Sequence, residues 1–337
     1  MESVDLNDAH WFPVDLHVRE GRFAFLRLDE RVLETSSFLD TRIEAPLAEA
    51  LAGPADAASD LPVSPRVSWL LHTSFCGSTL LARILHAPPH STCLREPLVL
   101  RRLGDARHAS QAIEGVIGPA VALLARPWHE GGRVVIKPTH AALNVAADLL
   151  AQTPASPALV LTSSLDDFLV SNLKKSAESQ AKIPLLAERA VQASGFHVRL
   201  PPAAFDPPDL LCAAVIQWAA QRELLRQIIG AAGPARMRVV DMSTLLADLP
   251  GVAAAAARWL QLDIPDAELH ASCLREGGRN AKATEAAYSP GQRAEDSRYL
   301  ERTFAPVIAR AKDWAATHVL PHLHPQALNA ASSWSLT

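Results

Sequence analysis

Val67-Ser68-Trp69-Leu70-Leu71-His72-Thr73-Ser74-Phe75-Cys76-Gly77-Ser78-Thr79-Leu80-Leu81 joins two apolar runs through a short loop of small residues. The stretch reads as a buried strand, a tight turn and a helix that opens on hydroxyls. Free amides at such a helix start point at whatever lies before the loop, and the helix dipole favours an anion there. Gly77 permits close backbone approach, while Ser78 and Thr79 add hydroxyl donors. As structure alone, the same residues make a capped strand-to-helix turn, since serine and threonine are ordinary N-caps. The lysine of a Walker A phosphate loop is absent.

Outward from this stretch, short apolar runs alternate with longer helical ones. Strands are predicted at Val67–His72, Thr92–Leu94, Val134–Lys137, Ala158–Leu161 and Met237–Asp241. Helices are predicted at Thr79–His86, Ala109–Ala125, Ala141–Gln152, Asp166–Ser176, Leu210–Ile229 and Val252–Leu262. A last one, from Gln292 to His318, is expected to kink at Pro306. This alternation predicts an α/β fold: a P-loop-type parallel sheet flanked by helices in three layers, with a small N-terminal addition and a helical C-terminal tail. Loops after the strands then share one sheet edge, where ligands of such folds bind. Before Arg66, Phe12–Leu16 and Arg22–Leu28 alternate around Gly21 and predict a hairpin, and Ala52–Ser64 reads as a linker.

Of the 337 residues 49% are hydrophobic and 20% charged, enough apolar surface to exclude long disorder. No run approaches the length of a membrane span, and the acidic start Met1-Glu2-Ser3-Val4-Asp5 is unlike a secretory signal, so a cytoplasmic location is expected. Cys76, Cys93, Cys212 and Cys273 are too scattered for a disulfide framework or zinc site, and His322-x-His324 lacks a third ligand, so no metal is expected. Residues 1–63 carry 13 acidic and 5 basic side chains, whereas the rest carry 23 and 27. An acidic leader on a mildly basic body argues against a nucleic-acid partner and allows one small polyanion.

Ser74-Phe75-Cys76-Gly77-Ser78-Thr79-Leu80-Leu81 resembles the 5′-phosphosulfate loop of the sulfotransferase family, Pro-(Lys/Arg)-Ser-Gly-(Thr/Ser)-Thr-x-Leu. Val134-Val135-Ile136-Lys137-Pro138-Thr139-His140 is similar to its strand ending in Lys-(Ser/Thr)-Pro. Leu161 to Ser171 resembles its 3′-phosphate segment, Arg-x-Pro-x-Asp-x-x-x-Ser. Val239 to Pro250 and the helix ending Arg258-Trp259-Leu260-Gln261-Leu262 resemble its late strand, turn and helix. The resemblance runs from Arg66 to Leu262 and rests on order and spacing more than on any one motif. It implies a sulfotransferase-like domain at 64–330 after an N-terminal addition and linker at 1–63. The implied activity is transfer of a sulfonate from 3′-phosphoadenosine-5′-phosphosulfate (PAPS) to a hydroxyl or amine of a small-molecule, peptide or carbohydrate acceptor.

Two positions depart from the family pattern. Phe75 stands where the loop has a basic residue, and Ser163 stands where an arginine grips the 3′-phosphate; each loss removes a charge-assisted bond worth roughly 1.5–3 kcal/mol. Substitute cations are few, since the chain has six lysines against 26 arginines. Lys174 and Lys175 follow Ser171 by three and four residues, so part of that pair shares its helix face; the alternative is a solvated helix end. Lys282 lies in a polar loop able to fold over a nucleotide, or simply in solvent. The expected donor-binding set is therefore Phe75, Cys76, Gly77, Ser78, Thr79, Ser163, Ser171, Lys174 and Lys282.

Lys137 ends a buried strand at the ligand edge, and unpaired burial there is costly, so an anion is expected beside it, the donor sulfonate or its leaving phosphate. Transfer to a hydroxyl needs a proton acceptor. Glu96, directly after the second strand, is the first candidate; an ion pair with Arg95 or Arg101 is its structural alternative. His140 is the second candidate, and His72 reads as a satisfied core histidine. A magnesium-dependent small-molecule kinase and a catalytically silent nucleotide- or partner-binding module are the competing functions.

Overall fold

The computed structural model describes residues 4–43, 45–280, 283–287 and 290–336. Three strands come first: β1 (Trp11–His17), β2 (Arg22–Arg27) and β3 (Leu51–Pro54). They form an antiparallel sheet in that order. The expected hairpin is present, and Gly21 makes its turn in the left-handed region at φ +60°. The start of the expected linker is instead the third strand: β3 pairs with β2 from Leu51 to Pro54 and satisfies a backbone edge that would otherwise be open.

A second sheet holds β4 (Val67–His72), β5 (Ser91–Arg95), β6 (Arg133–Lys137), β7 (Ala158–Thr162) and β8 (Met237–Asp241). All pairings are parallel, in the order β5-β6-β4-β7-β8. Successive residues feed opposite faces, as the pleat requires. Trp69, Leu71, Val134, Ile136 and Val160 enter one apolar cluster; Leu70, Val135, Leu159 and Leu161 enter another. Both faces are therefore dry, which explains why these strands read as unbroken apolar runs.

Helices cover both faces: α1 (Ser78–Ile84), α2 (Leu98–His108), α3 (Glu114–Leu124), α4 (Leu165–Leu173), α5 (Ile183–Ser194), α6 (Leu210–Ala232) and α7 (Leu249–Trp259) among them. The helix expected at Ala109–Ala125 begins only at Glu114, and α2 before it was not expected; Ser110 turns at φ +54° between the two. The last helix, expected as one, is two, Pro290–Thr303 and Ala305–His318. The break falls at Phe304, which places Pro306 in the first turn of the second helix, where its missing N–H costs nothing.

The residues before the parallel sheet are fastened to it. Asp15 accepts both Nε and Nη2 of Arg102, at 2.8 and 3.0 Å, and buried Arg126 donates to the carbonyls of Leu6, Asp8 and Trp11. Phe12, Phe23 and Leu33 share one apolar cluster with Trp69 and Leu94 of the sheet. Among the described residues no helix is long and apolar enough to cross a membrane.

Candidate active site

The C-terminal ends of β5, β6, β4 and β7 open on a cleft of 580 Å³. Phe75, Cys76, Gly77, Ser78, Thr79, Glu96, His140, Ser171 and Lys174 all line it. Phe75 and Gly77 take left-handed φ values of +58° and +77°, which fold the loop back over the end of β4. A β-carbon on Gly77 would stand 3.1 Å from Leu245 Cδ2, a tight contact, and the left-handed φ disfavours any other residue there. Cys76 is buried, and its Sγ donates to the Thr73 carbonyl at 3.1 Å; it ties the turn together and is not presented as a nucleophile.

Lys137 has no exposed surface and lies behind the cleft wall, not on it. The anion it meets is the carboxylate of Glu96: Nζ donates to Oε1 at 2.6 Å. The alternative partners for Glu96 are thereby excluded. Arg95 turns away to the carbonyls of Leu33 and Ser36, and Arg101 pairs with Asp105 at 3.7 Å. Glu96 adopts φ +55°, a strained value for a non-glycine residue, and its N–H donates to the Lys137 carbonyl at 2.7 Å. Backbone and side chain thus fix the two residues to each other. Burial works to raise the Glu96 carboxyl, but the charge and hydrogen bond of Lys137 outweigh it and hold it at about 2.

His72 Nδ1 lies 2.9 Å from the Thr73 carbonyl, which only accepts, so Nδ1 carries the proton and Nε2 presents a lone pair. Nε2 has no hydrogen-bond partner among the described residues and stands 3.7 Å from Glu96 Oε1. Burial, reinforced by the Lys137 charge, pushes His72 down to about 3, so the ring is neutral at pH 7. It lines the cleft and is not the satisfied core histidine expected from its strand position. The His140 ring meets it edge-on, 6.1 Å away. Two acceptor atoms, Oε1 of Glu96 and Nε2 of His72, therefore adjoin at the end of β4, an arrangement suited to an incoming O–H or N–H group.

On the far side of the loop, Ser171 in α4 and Lys174 and Lys175 just after it line the cleft. Lys174 Nζ donates to Ser297 Oγ at 2.8 Å, and Lys175 Nζ sits 4.9 Å above the Phe75 ring. Burial lowers the Lys175 ammonium, a cost that a bound anion would relieve. Ser163, expected at a ligand phosphate, is fully buried behind the loop: its Oγ reaches the Ser74 carbonyl at 3.4 Å, and its carbonyl accepts from Trp218 and Arg222. It supports the loop from below and does not line the cleft. Lys282 lies outside the described residues. Ser164 serves as the helix cap that its spacing to Asp167 suggests, accepting the Asp167 N–H at 3.1 Å.

No family model matches the chain, and no curated protein matches it. Solved structures to which it is similar include three sulfotransferases. The sulfotransferase domain from the curacin biosynthetic pathway is 14% identical, with a TM-score of 0.43, over 81% of this chain and 99% of that one. A sulfotransferase from Mycobacterium tuberculosis H37Rv is 14% identical, with a TM-score of 0.39, over 74% and 79%. One from Alicyclobacillus acidocaldarius is 17% identical, with a TM-score of 0.39, over 80% and 100%.

Two loop-holding residues escape the sequence patterns. Gln221 Oε1 accepts the Ser74 N–H at 3.0 Å, and Nε2 of both Gln217 and Gln221 donates to Ser74 Oγ, at 3.3 and 3.0 Å. The signal was present: two glutamines four residues apart on the apolar helix α6, where buried polar side chains need partners.

Proposed function

We propose that the chain transfers a sulfonate group from PAPS to a hydroxyl or amine acceptor. One observation carries this: the loop Ser74–Thr79 sits at the centre of a single cleft, with the Lys174–Lys175 pair on one side and the Glu96–Lys137–His72 cluster on the other. The first side suits the 3′-phosphate of the nucleotide, the loop amides and hydroxyls its 5′ end, and the second side the reacting groups. Lys174 and Lys175 supply the positive charge that Phe75 and Ser163 do not.

In the transfer, the bond between sulfur and the donor's phosphate oxygen breaks, one from sulfur to the acceptor oxygen forms, and the acceptor proton passes to a base. Glu96 is ionised at neutral pH, but a carboxylate held near 2 is a weak base while Lys137 grips it. The proton passes to Glu96 as the new sulfur–oxygen bond forms and the hydroxyl grows acidic, while Lys137, behind the wall, holds the carboxylate in place and the lone pair of His72 orients the same O–H.

Adding 3′,5′-adenosine bisphosphate, AMP or ATP with magnesium to a thermal melt tests the proposal. The bisphosphate is expected to stabilise most, by about 2.7 kcal/mol at a hundred times its dissociation constant. Equal shifts with AMP remove the 3′-phosphate site, and a shift with ATP and magnesium alone favours a kinase.

A further inference from the structure

The cleft has a wall that the roles above leave unused. Phe38, Asp40 and Arg42, from the segment preceding the parallel sheet, line the same cavity as Gly77 and Glu96. The body holds this segment firmly. Leu39 N–H donates to the Arg95 carbonyl at 2.7 Å, and Leu98 N–H donates to the Leu39 carbonyl at 2.9 Å. The buried guanidinium of Arg95 donates to the carbonyls of Leu33 and Ser36, while Arg83 reaches Ser37 Oγ at 3.0 Å. Two cations of the body are thus committed to fixing one stretch of the rim.

Within that rim, Arg42 is aimed from two directions. Its guanidinium lies 4.0 Å over the Phe38 ring, and its Nε and Nη2 edge pairs with the Asp40 carboxylate, Nε to Oδ1 at 2.8 Å. Asp40 is only 9% exposed and also accepts the Arg42 N–H at 3.0 Å, so it serves this one residue. A guanidinium carries five N–H donors. Nη1 makes no hydrogen bond among the described residues, and the side chain is 58% exposed. A planar cationic edge is therefore held ready beside an aromatic ring, the geometry that recognises a carboxylate on an apolar body. Arg101 lines the same wall as a second cation.

Sheet order locates this wall relative to the donor side. Phe38 and Arg42 adjoin the end of β5, whereas Ser171, Lys174 and Lys175 follow β7. Three strand spacings separate β5 from β7, roughly 14 Å, with the Ser74–Thr79 loop between them. Glu96 stands at the β5 end, next to the wall.

We propose that the Phe38–Asp40–Arg42 wall is the acceptor subsite and that the acceptor is a hydroxyl compound carrying a carboxylate. Phe38 packs against its carbon body, Arg42 pairs with the carboxylate, and the hydroxyl points to Glu96 and His72. The assignment rests on the transfer reaction proposed above, whose second substrate it specifies.

Calorimetry on the full chain tests it, with 4-hydroxyphenylacetate and its methyl ester as probes, in the absence and in the presence of saturating 3′,5′-adenosine bisphosphate. The acid is expected to bind at least about tenfold more tightly than the ester. Arg42→Ala should abolish that preference and Arg42→Lys, which keeps charge but not the fork, should retain part of it. Bisphosphate affinity should be unchanged in both variants, which also shows that they fold. Equal affinity for acid and ester, a preference that survives Arg42→Ala, or no acid binding to the bisphosphate complex overturns the acceptor subsite and leaves the donor side standing. Arg42-dependent acid binding to a protein that ignores the bisphosphate overturns the transfer reaction instead.

Discussion

Glu96 and Lys137 form an ion pair at 2.6 Å whose cation has no exposed surface. Glu96 also stands 3.7 Å from neutral His72, but among the described residues Lys137 is the cation in direct contact with it. Removing one member leaves the other buried and uncompensated, which typically costs about 3–5 kcal/mol, whereas removing both with shape kept is often close to neutral. Glu96→Gln and Lys137→Met are therefore each expected to destabilise strongly, and the double variant by much less than their sum. Urea unfolding of the four proteins gives the coupling directly. Additive losses would mean that the two side chains do not depend on each other.

Acid sensitivity is expected to begin at the histidines. Burial and neighbouring cations push His72 and His86 down to about 3, against an ordinary 6.5. Between those values the unfolded chain binds protons that the folded chain refuses. Stability is then fully present above pH ~6.5 and falls by about 1.4 kcal/mol per pH unit for each histidine as pH drops. Glu96 acts in the same direction but lower: with its carboxyl at about 2 instead of 4.5, its contribution holds above pH ~4.5 and is lost toward pH ~2. Unfolding free energies at pH 7, 6 and 5 should slope accordingly, and His86→Gln should flatten the slope by one histidine. A flat profile over this range would show that neither imidazole is held neutral.

Much of this architecture was legible in the sequence, because strands buried on both faces must be apolar throughout. Val67–His72 and Met237–Asp241 begin and end where the runs do. The loop was legible for a different reason: glycine is the residue that adopts the left-handed φ of Gly77 without strain. What stayed hidden depends on long-range placement. No spacing rule connects Glu96 to Lys137, 41 residues apart, or brings Phe38 and Arg42 to a cleft built from later strands. Ser163 was misplaced because a sequence position beside a ligand segment does not say whether the side chain faces the ligand or the loop behind it.

The glutamine clamp makes the loop testable without touching its ligand face. Gln221→Leu strips the buried Ser74 N–H of its acceptor and removes one of the two donors to Ser74 Oγ, leaving Gln217, at a cost of about 1–3 kcal/mol. Because the clamp sets where the loop lies, bisphosphate affinity is expected to fall together with stability. Gly77→Val should do more, since it adds a left-handed penalty of about 1–2 kcal/mol to a clash with Leu245. Calorimetry on folded variants decides: full affinity in Gly77→Val would reduce Ser74–Thr79 to a mere turn.

The two lysines that follow α4 offer the sharpest separation of binding from chemistry. Lys174 and Lys175 line the cleft on the β7 side of the loop, while Glu96 stands on the β5 side. If they hold the 3′-phosphate, each replacement by alanine removes a charge-assisted contact worth roughly 1.5–3 kcal/mol, or about ten- to a hundredfold in affinity. That loss should appear for the 3′,5′-bisphosphate and be absent for AMP, which has no 3′-phosphate to lose. Lys175 is expected to contribute more, because its ammonium is already partly desolvated over the Phe75 ring and an anion relieves that burial. Lys174 first has to leave Ser297 Oγ. Raising salt should narrow the gap between wild type and either variant, as screening weakens the same contact. Calorimetric titration of both nucleotides into the three proteins measures all of this. An equal loss for AMP and the bisphosphate would move the lysines from the 3′-phosphate to the 5′ end of the nucleotide.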